Sequence, residues 1–233
     1  MFIDKVYKAV QLFANKSQIG GYISPAEFNR YAEFAQLDWI NDNYNPATKL
    51  GYENNYQSSD DFAELKVSQP ITVANGLAVK PADYMHYSSA FAYTIFNDES
   101  RPAPAQLVRD VEWSERLMSE INKPTRTFPI LRSIGSNFQV KPDNVNQIVL
   151  NYIKLPLQPW WNYTIVSGIP VFAATGGVTT NPNAGVTAGN STNFVLGEDN
   201  YGDLVFRICR YFGIEVREAE LYQFVNNESQ QEG

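Results

Sequence analysis

Side chains able to do acid–base, nucleophilic or metal chemistry are sparse in this sequence. His86 is its one histidine and Cys209 its one cysteine. One of each cannot build a cysteine/histidine zinc site, and a single cysteine excludes an internal disulfide. His86 lies in an aromatic stretch, and Cys209 lies on the apolar face of a predicted helix. We therefore expect both to be structural rather than a general base and a nucleophile.

The densest group of carboxylates is Asp60, Asp61 and Glu64. A carboxylate-based hydrolase or an oxygen-ligated metal site could use such a group. Because no other motif accompanies it, we expect a solvated loop in which an aspartate caps a short helix. The sequence therefore predicts no catalytic residue, no metal ligand and no cofactor, and the protein is expected not to be an enzyme.

Aromatic, glycine and arginine residues in the middle of the chain leave binding functions open. Trp160 and Trp161, with Tyr163 nearby, could form a sugar-binding platform, an interface hot spot or part of the core. Gly176-Gly177 is no phosphate loop, since no Gly-Lys-Ser/Thr follows it. Four arginines could make ion pairs between subunits or lie on a solvated surface: Arg109, Arg116, Arg126 and Arg132.

Composition restricts the class of protein further. The chain has 233 residues, of which 14% are aromatic and 18% charged, which is typical of an ordered protein with large buried or interface surfaces. Its net charge of −7 makes a tight phosphate clamp a poor expectation. The first residues do not resemble a signal peptide, and no window is apolar enough for a transmembrane helix.

Helical signals open the chain. Apolar residues recur every three or four positions over residues 2–16, which predicts an amphipathic helix. A second helix begins where Ser24 fits the N-cap, Pro25 the first helical position, and Glu27 the partner of Ser24 in a capping box. Turn-forming residues end this helix by residues 43–46, and residues 46–61 are predicted to be a loop.

The middle of the chain has β character. Strands are predicted at 70–73 and 77–79 around the Asn75-Gly76 turn, and at 84–96, 127–132, 136–140 and 147–154. Residues 97–104 are predicted to be a turn. For residues 106–121, a strand followed by a helix from Val111 is favoured over one continuous helix.

An uncharged segment and further helical spacing follow. Residues 176–193 hold no charge and no aromatic ring, which predicts a loop or flexible arm. Leu204, Val205, Ile208, Cys209 and Phe212 then form a helical stripe, and a last helix carries Leu221, Tyr222 and Val225.

The predicted fold class is therefore α+β. A helical bundle would be built from the N-terminal and C-terminal helix pairs, with a β-rich middle insertion. The corresponding domains are residues 1–45, the middle region 46–195 with the uncharged arm 176–193, and residues 196–233 with a polar tail.

Several sequence blocks resemble the head-to-tail ring, or connector/adaptor, proteins of short-tailed, crAss-like bacteriophages. The N-terminal block is VQLFANK at 10–16 followed by GYISPAEFN at 21–29. The central block is NYIKLP at 151–156 with Pro159-Trp160, and the C-terminal block comprises FVL at 194–196, Leu204, Ile208 and Gly213-Ile214. The resemblance spans most of the chain.

This resemblance implies a structural virion protein without catalytic residues, assembled in the host cytoplasm. Such proteins form rings, typically twelve-fold, between the portal and the tail, and contact the portal protein and adjacent tail or ring proteins. Genome DNA passes through the lumen without specific binding, and no membrane is involved. Residues 176–193 and 226–233 are expected to reach neighbouring subunits. The alternative is a carbohydrate-binding module of a phage tail or surface protein, based on Trp160 and Trp161.

Overall fold

The computed structural model describes residues 2–16, 22–44, 62–96 and 99–213. The chain forms two compact units. Unit 1 combines residues 1–61 with residues 156–233, and unit 2 is the continuous stretch 62–155.

Unit 2 is a seven-stranded sheet that nearly closes into a barrel. Its spatial order is β1-β7-β3-β4-β5-β6-β2, and every pair is antiparallel except β4 with β5. The strands are β1 (Lys66–Thr72), β2 (Leu77–Val79), β3 (Tyr84–Phe96), β4 (Glu99–Leu107), β5 (Ile130–Ile134), β6 (Asn137–Lys141) and β7 (Val145–Lys154). Helix α1 (Phe2–Lys16) and helix α2 (Pro25–Tyr44) precede this unit, and helix α3 (Asp110–Met118) lies within it.

The Asn75-Gly76 turn connects the two ends of the strand order. Both residues have positive φ, 53° and 72°, as a two-residue hairpin turn requires. The turn closes a single bridge between Ala74 and Leu77. Beyond that bridge β1 pairs with β7 while β2 pairs with β6. The turn therefore brings the first and last strands of the order together.

Alternation along the strands separates an inner from an outer face of this sheet. Ala90 and Ala92 of β3 and Ile148 and Leu150 of β7 are buried. Together with Phe138 and other apolar residues they form the core cluster of unit 2. The residues between them point to the other face, because successive side chains of a strand alternate.

Unit 1 combines helices with a two-stranded sheet. Its further elements are β8 (Tyr163–Val166), β9 (Ile169–Phe172) and α4 (Tyr201–Tyr211). The α2 start has the predicted capping box, in which the Ser24 backbone N–H donates to Glu27 Oε2 at 3.1 Å. Helix α4 packs against α1 and α2, and the Arg207 guanidinium in α4 contacts the Asp42 carboxylate in α2 at 2.6 Å.

Two buried side-chain amides on α2 form hydrogen bonds with backbone segments that have no regular secondary structure. Asn29 accepts from the Trp161 N–H at 2.7 Å and donates to the Trp161 carbonyl at 3.1 Å. Gln36, two turns further on, donates to the Leu157 carbonyl and accepts from the Val195 N–H. Since buried backbone groups need partners, these amides hold the segments around 157–161 and 195 in place without secondary structure.

The predicted bundle of N-terminal and C-terminal helix pairs is wrong. The described chain is β-rich, with the nearly closed seven-stranded sheet as its largest element and four helices besides. The apolar faces of the helices in unit 1 have non-helical partners that periodicity does not reveal. Trp161 and Phe194 are buried there, and the Phe2 ring lies 5.8 Å from the Phe194 ring.

Some of the predicted helices, strands and turns are present in the structure and others are not. The helices at 2–16 and from Pro25 are confirmed. The strand followed by a helix predicted within residues 106–121 is also confirmed, since β4 ends at Leu107 and α3 runs from Asp110 to Met118. The turn predicted at 97–104 is wrong, because β4 begins at Glu99 and includes Pro102 and Pro104. Proline is tolerated there because this half of β4 pairs only with β3 among the described strands. The loop at 46–61 and the helix around Leu221 lie outside the described residues.

Candidate interaction surfaces

The β8–β9 hairpin exposes large apolar side chains on both of its faces. Ser167 and Gly168 form its turn with φ of 52° and 82°. Ile165 is 62% exposed, Val166 54%, Ile169 64% and Val171 46%. Ile165 pairs with Pro170 on one face, and Val166 pairs with Ile169 on the other. The hairpin, residues 163–172, also contains no charged residue.

Trp161 anchors this hairpin to the core of unit 1. Its ring is 2% exposed and lies 4.1 Å from the Tyr7 ring, between centroids. It also stacks on Tyr163 and contacts Phe172, at the base of the two strands. The indole N–H donates to the Asp4 carboxylate at 3.1 Å. A two-stranded hairpin is marginally stable alone, so these contacts fix its base while the tip stays exposed.

The two neighbouring tryptophans do not form a shared platform. Trp161 lies in the core, whereas Trp160 is half-buried and its indole N–H donates to the Thr179 hydroxyl at 3.3 Å. The Trp160 backbone forms a bridge with Thr192. The sequence left open a sugar-binding platform, an interface hot spot or core packing for these residues. Trp161 has the core-packing role.

The uncharged segment 176–193 is folded against Asn162 of unit 1. Asn162 is fully buried and donates to the Thr179 carbonyl at 2.6 Å. Its side-chain oxygen accepts from the Thr179 N–H at 3.0 Å and from the Thr179 hydroxyl at 2.7 Å. Asn181 and Asn183 bind further backbone within and beside the segment. Gly176-Gly177 passes close to Asn162, and this close approach is its structural role.

The outer face of unit 2 presents a second uncharged surface. Strand registers place Pro70, Val149, Phe91 and Pro104 in one row across β1, β7, β3 and β4. The adjacent row is Thr72, Gln147, Tyr93 and Pro102, and Ser68, Asn151 and Ser89 form a third. We call these eleven residues the outer face. Phe91, near its centre, is 42% exposed.

Helix α3 and the chain after it carry further exposed apolar residues. Trp113 is buried and fixes the helix, and the Arg132 guanidinium lies 4.8 Å from the centre of its ring. Exposed residues of this region are Val111, Leu117, Met118, Ile121 and Phe128. Charged side chains lie between them, including Arg116, which pairs with Glu112 at 2.6 Å.

Four arginines were considered for contacts between subunits. Arg116 and Arg132 have partners within unit 2, since Arg116 also donates to Gln106 and Arg132 donates to Gln139. Arg109 is exposed and precedes α3, and Arg126 is half-buried.

The residues considered for catalysis are distributed over both units. His86 is half-buried in β3, where burial lowers its pKa. Cys209 is fully buried in α4, and burial raises the pKa of its thiol to about 12. Glu64 is exposed, while Asp60 and Asp61 lie outside the described residues. His86 belongs to unit 2 and Cys209 to unit 1.

Among the residues that the structure describes, no group of three or more histidine, cysteine, aspartate or glutamate residues is placed to hold a metal ion. None of the described helices is both long and apolar enough to cross a membrane.

The β8–β9 hairpin was missed at the level of sequence, although a signal for it exists. Residues 163–172 read YTIVSGIPVF, a β-branched and aromatic run around a Ser-Gly pair. The outer face could not be found in this way, because its rows depend on which strands are neighbours.

Comparison with known proteins gives no family for this chain. No protein-family model matches the sequence, and no curated protein matches it.

Proposed function

We propose that this chain is a structural virion protein that forms a head-to-tail connector ring between the portal and the tail of a short-tailed bacteriophage. In this proposal twelve copies of the chain, the number typical of the resembled proteins, form a closed ring and contact the portal protein and adjacent tail or ring proteins. Genome DNA passes through the central channel, and the protein has no catalytic activity.

The observation that carries this proposal is the exposed apolar hairpin of unit 1. Ile165, Val166, Ile169 and Val171 are each between 46% and 64% exposed. Clustered exposed apolar side chains on a folded protein mark interaction surfaces. A subunit that becomes buried between neighbours in an assembly is expected to have such a surface. The sequence blocks at 10–16 and 21–29 support the specific assembly named here.

Net charge supports the proposed passage of DNA. The chain carries a charge of −7, and phosphate binding depends on lysine and arginine side chains that neutralise the backbone. An acidic channel wall would repel phosphates, so the genome would slide past without being held.

Carbohydrate binding, the alternative function, has less support. An exposed aromatic platform is what sugar stacking needs, and the Trp161 ring lies in the core of unit 1 with 2% exposure.

Electron microscopy tests the proposal directly. We expect class averages of the purified chain to show closed rings of about a dozen subunits, as heterologous contacts produce when the rotation closes. In the intact particle we expect density that fits units 1 and 2 below the portal. A chain that stays monomeric and is also missing from the portal vertex would contradict the proposal. Binding on a glycan array, lost in a Trp160→Ala variant, would then favour the alternative.

A further inference from the structure

We draw no further inference here: the strongest candidate, the exposed apolar surface of the β8–β9 hairpin in unit 1, carries nothing because nothing in the described part of the structure shows what covers it.

Discussion

Gly177 lies so close to the Asn162 side chain that a β-carbon at position 177 would overlap the Asn162 amide. This approach lets segment 176–193 fold against the amide that binds Thr179. Glycine is required here because of space rather than because of backbone conformation.

Replacement of Gly177 by alanine is expected to destabilise the protein. The added methyl group must displace Asn162 or the segment, and overpacking of this kind costs about 1–3 kcal/mol. Urea unfolding of Gly177→Ala measures the effect. Gly197→Ala is the matched control, because a β-carbon there meets no atom within 4 Å. Equal midpoints for the two variants would contradict the predicted overlap.

Removal of the Asn29 amide should also lower stability. Asn29→Ala leaves the N–H and the carbonyl of Trp161 without their side-chain partner, although Trp161 stays buried. Each buried group left unsatisfied costs about 1–3 kcal/mol. Thermal unfolding of Asn29→Ala beside the wild type measures this loss. If the variant and the wild type unfold at the same temperature, the amide does not hold the segment.

The capping box at the start of α2 predicts a dependence of stability on pH. Hydrogen bonds from Ser24 lower the pKa of Glu27 below its ordinary 4.5. Its ionised form therefore stabilises the folded state above pH 4.5, and this contribution is lost as pH falls through the folded-state pKa. Glu27→Gln keeps a capping side chain without the titration.

Urea unfolding of both forms between neutral and acidic pH is the measurement. We expect the advantage of the wild type over Glu27→Gln to shrink as the pH decreases below 4.5. A difference that does not change with pH would show that the Glu27 charge makes no contribution at the cap.

Cys209 should be unreactive in the folded protein. Burial raises the pKa of its thiol to about 12, so very little thiolate exists at pH 8, and the side chain is not accessible. We expect iodoacetamide to label Cys209 only after denaturation. An Ile121→Cys variant, with its added thiol at an exposed position, should gain one rapid label. Rapid labelling of the native wild type would contradict the buried position.

Local features of this protein could be predicted from the sequence. The Ser24–Glu27 capping box, the Asn75-Gly76 turn and the stripe from Leu204 to Cys209 depend on residues within a few positions of each other. Helix caps, tight turns and periodic burial are set by such short-range chemistry, which explains why the helix starts and several strands were located correctly.

Tertiary structure alone decided how these elements combine. Placement of β7 between β1 and β3 depends on pairings such as Ser68 with Asn151, and the Asn29–Trp161 contact joins residues 132 positions apart. Periodicity shows that a helix has an apolar face but does not show what covers that face. A bundle was therefore predicted where an irregular segment packs, and the outer face became visible only with the strand order, because neighbouring strands decide which side chains share a surface.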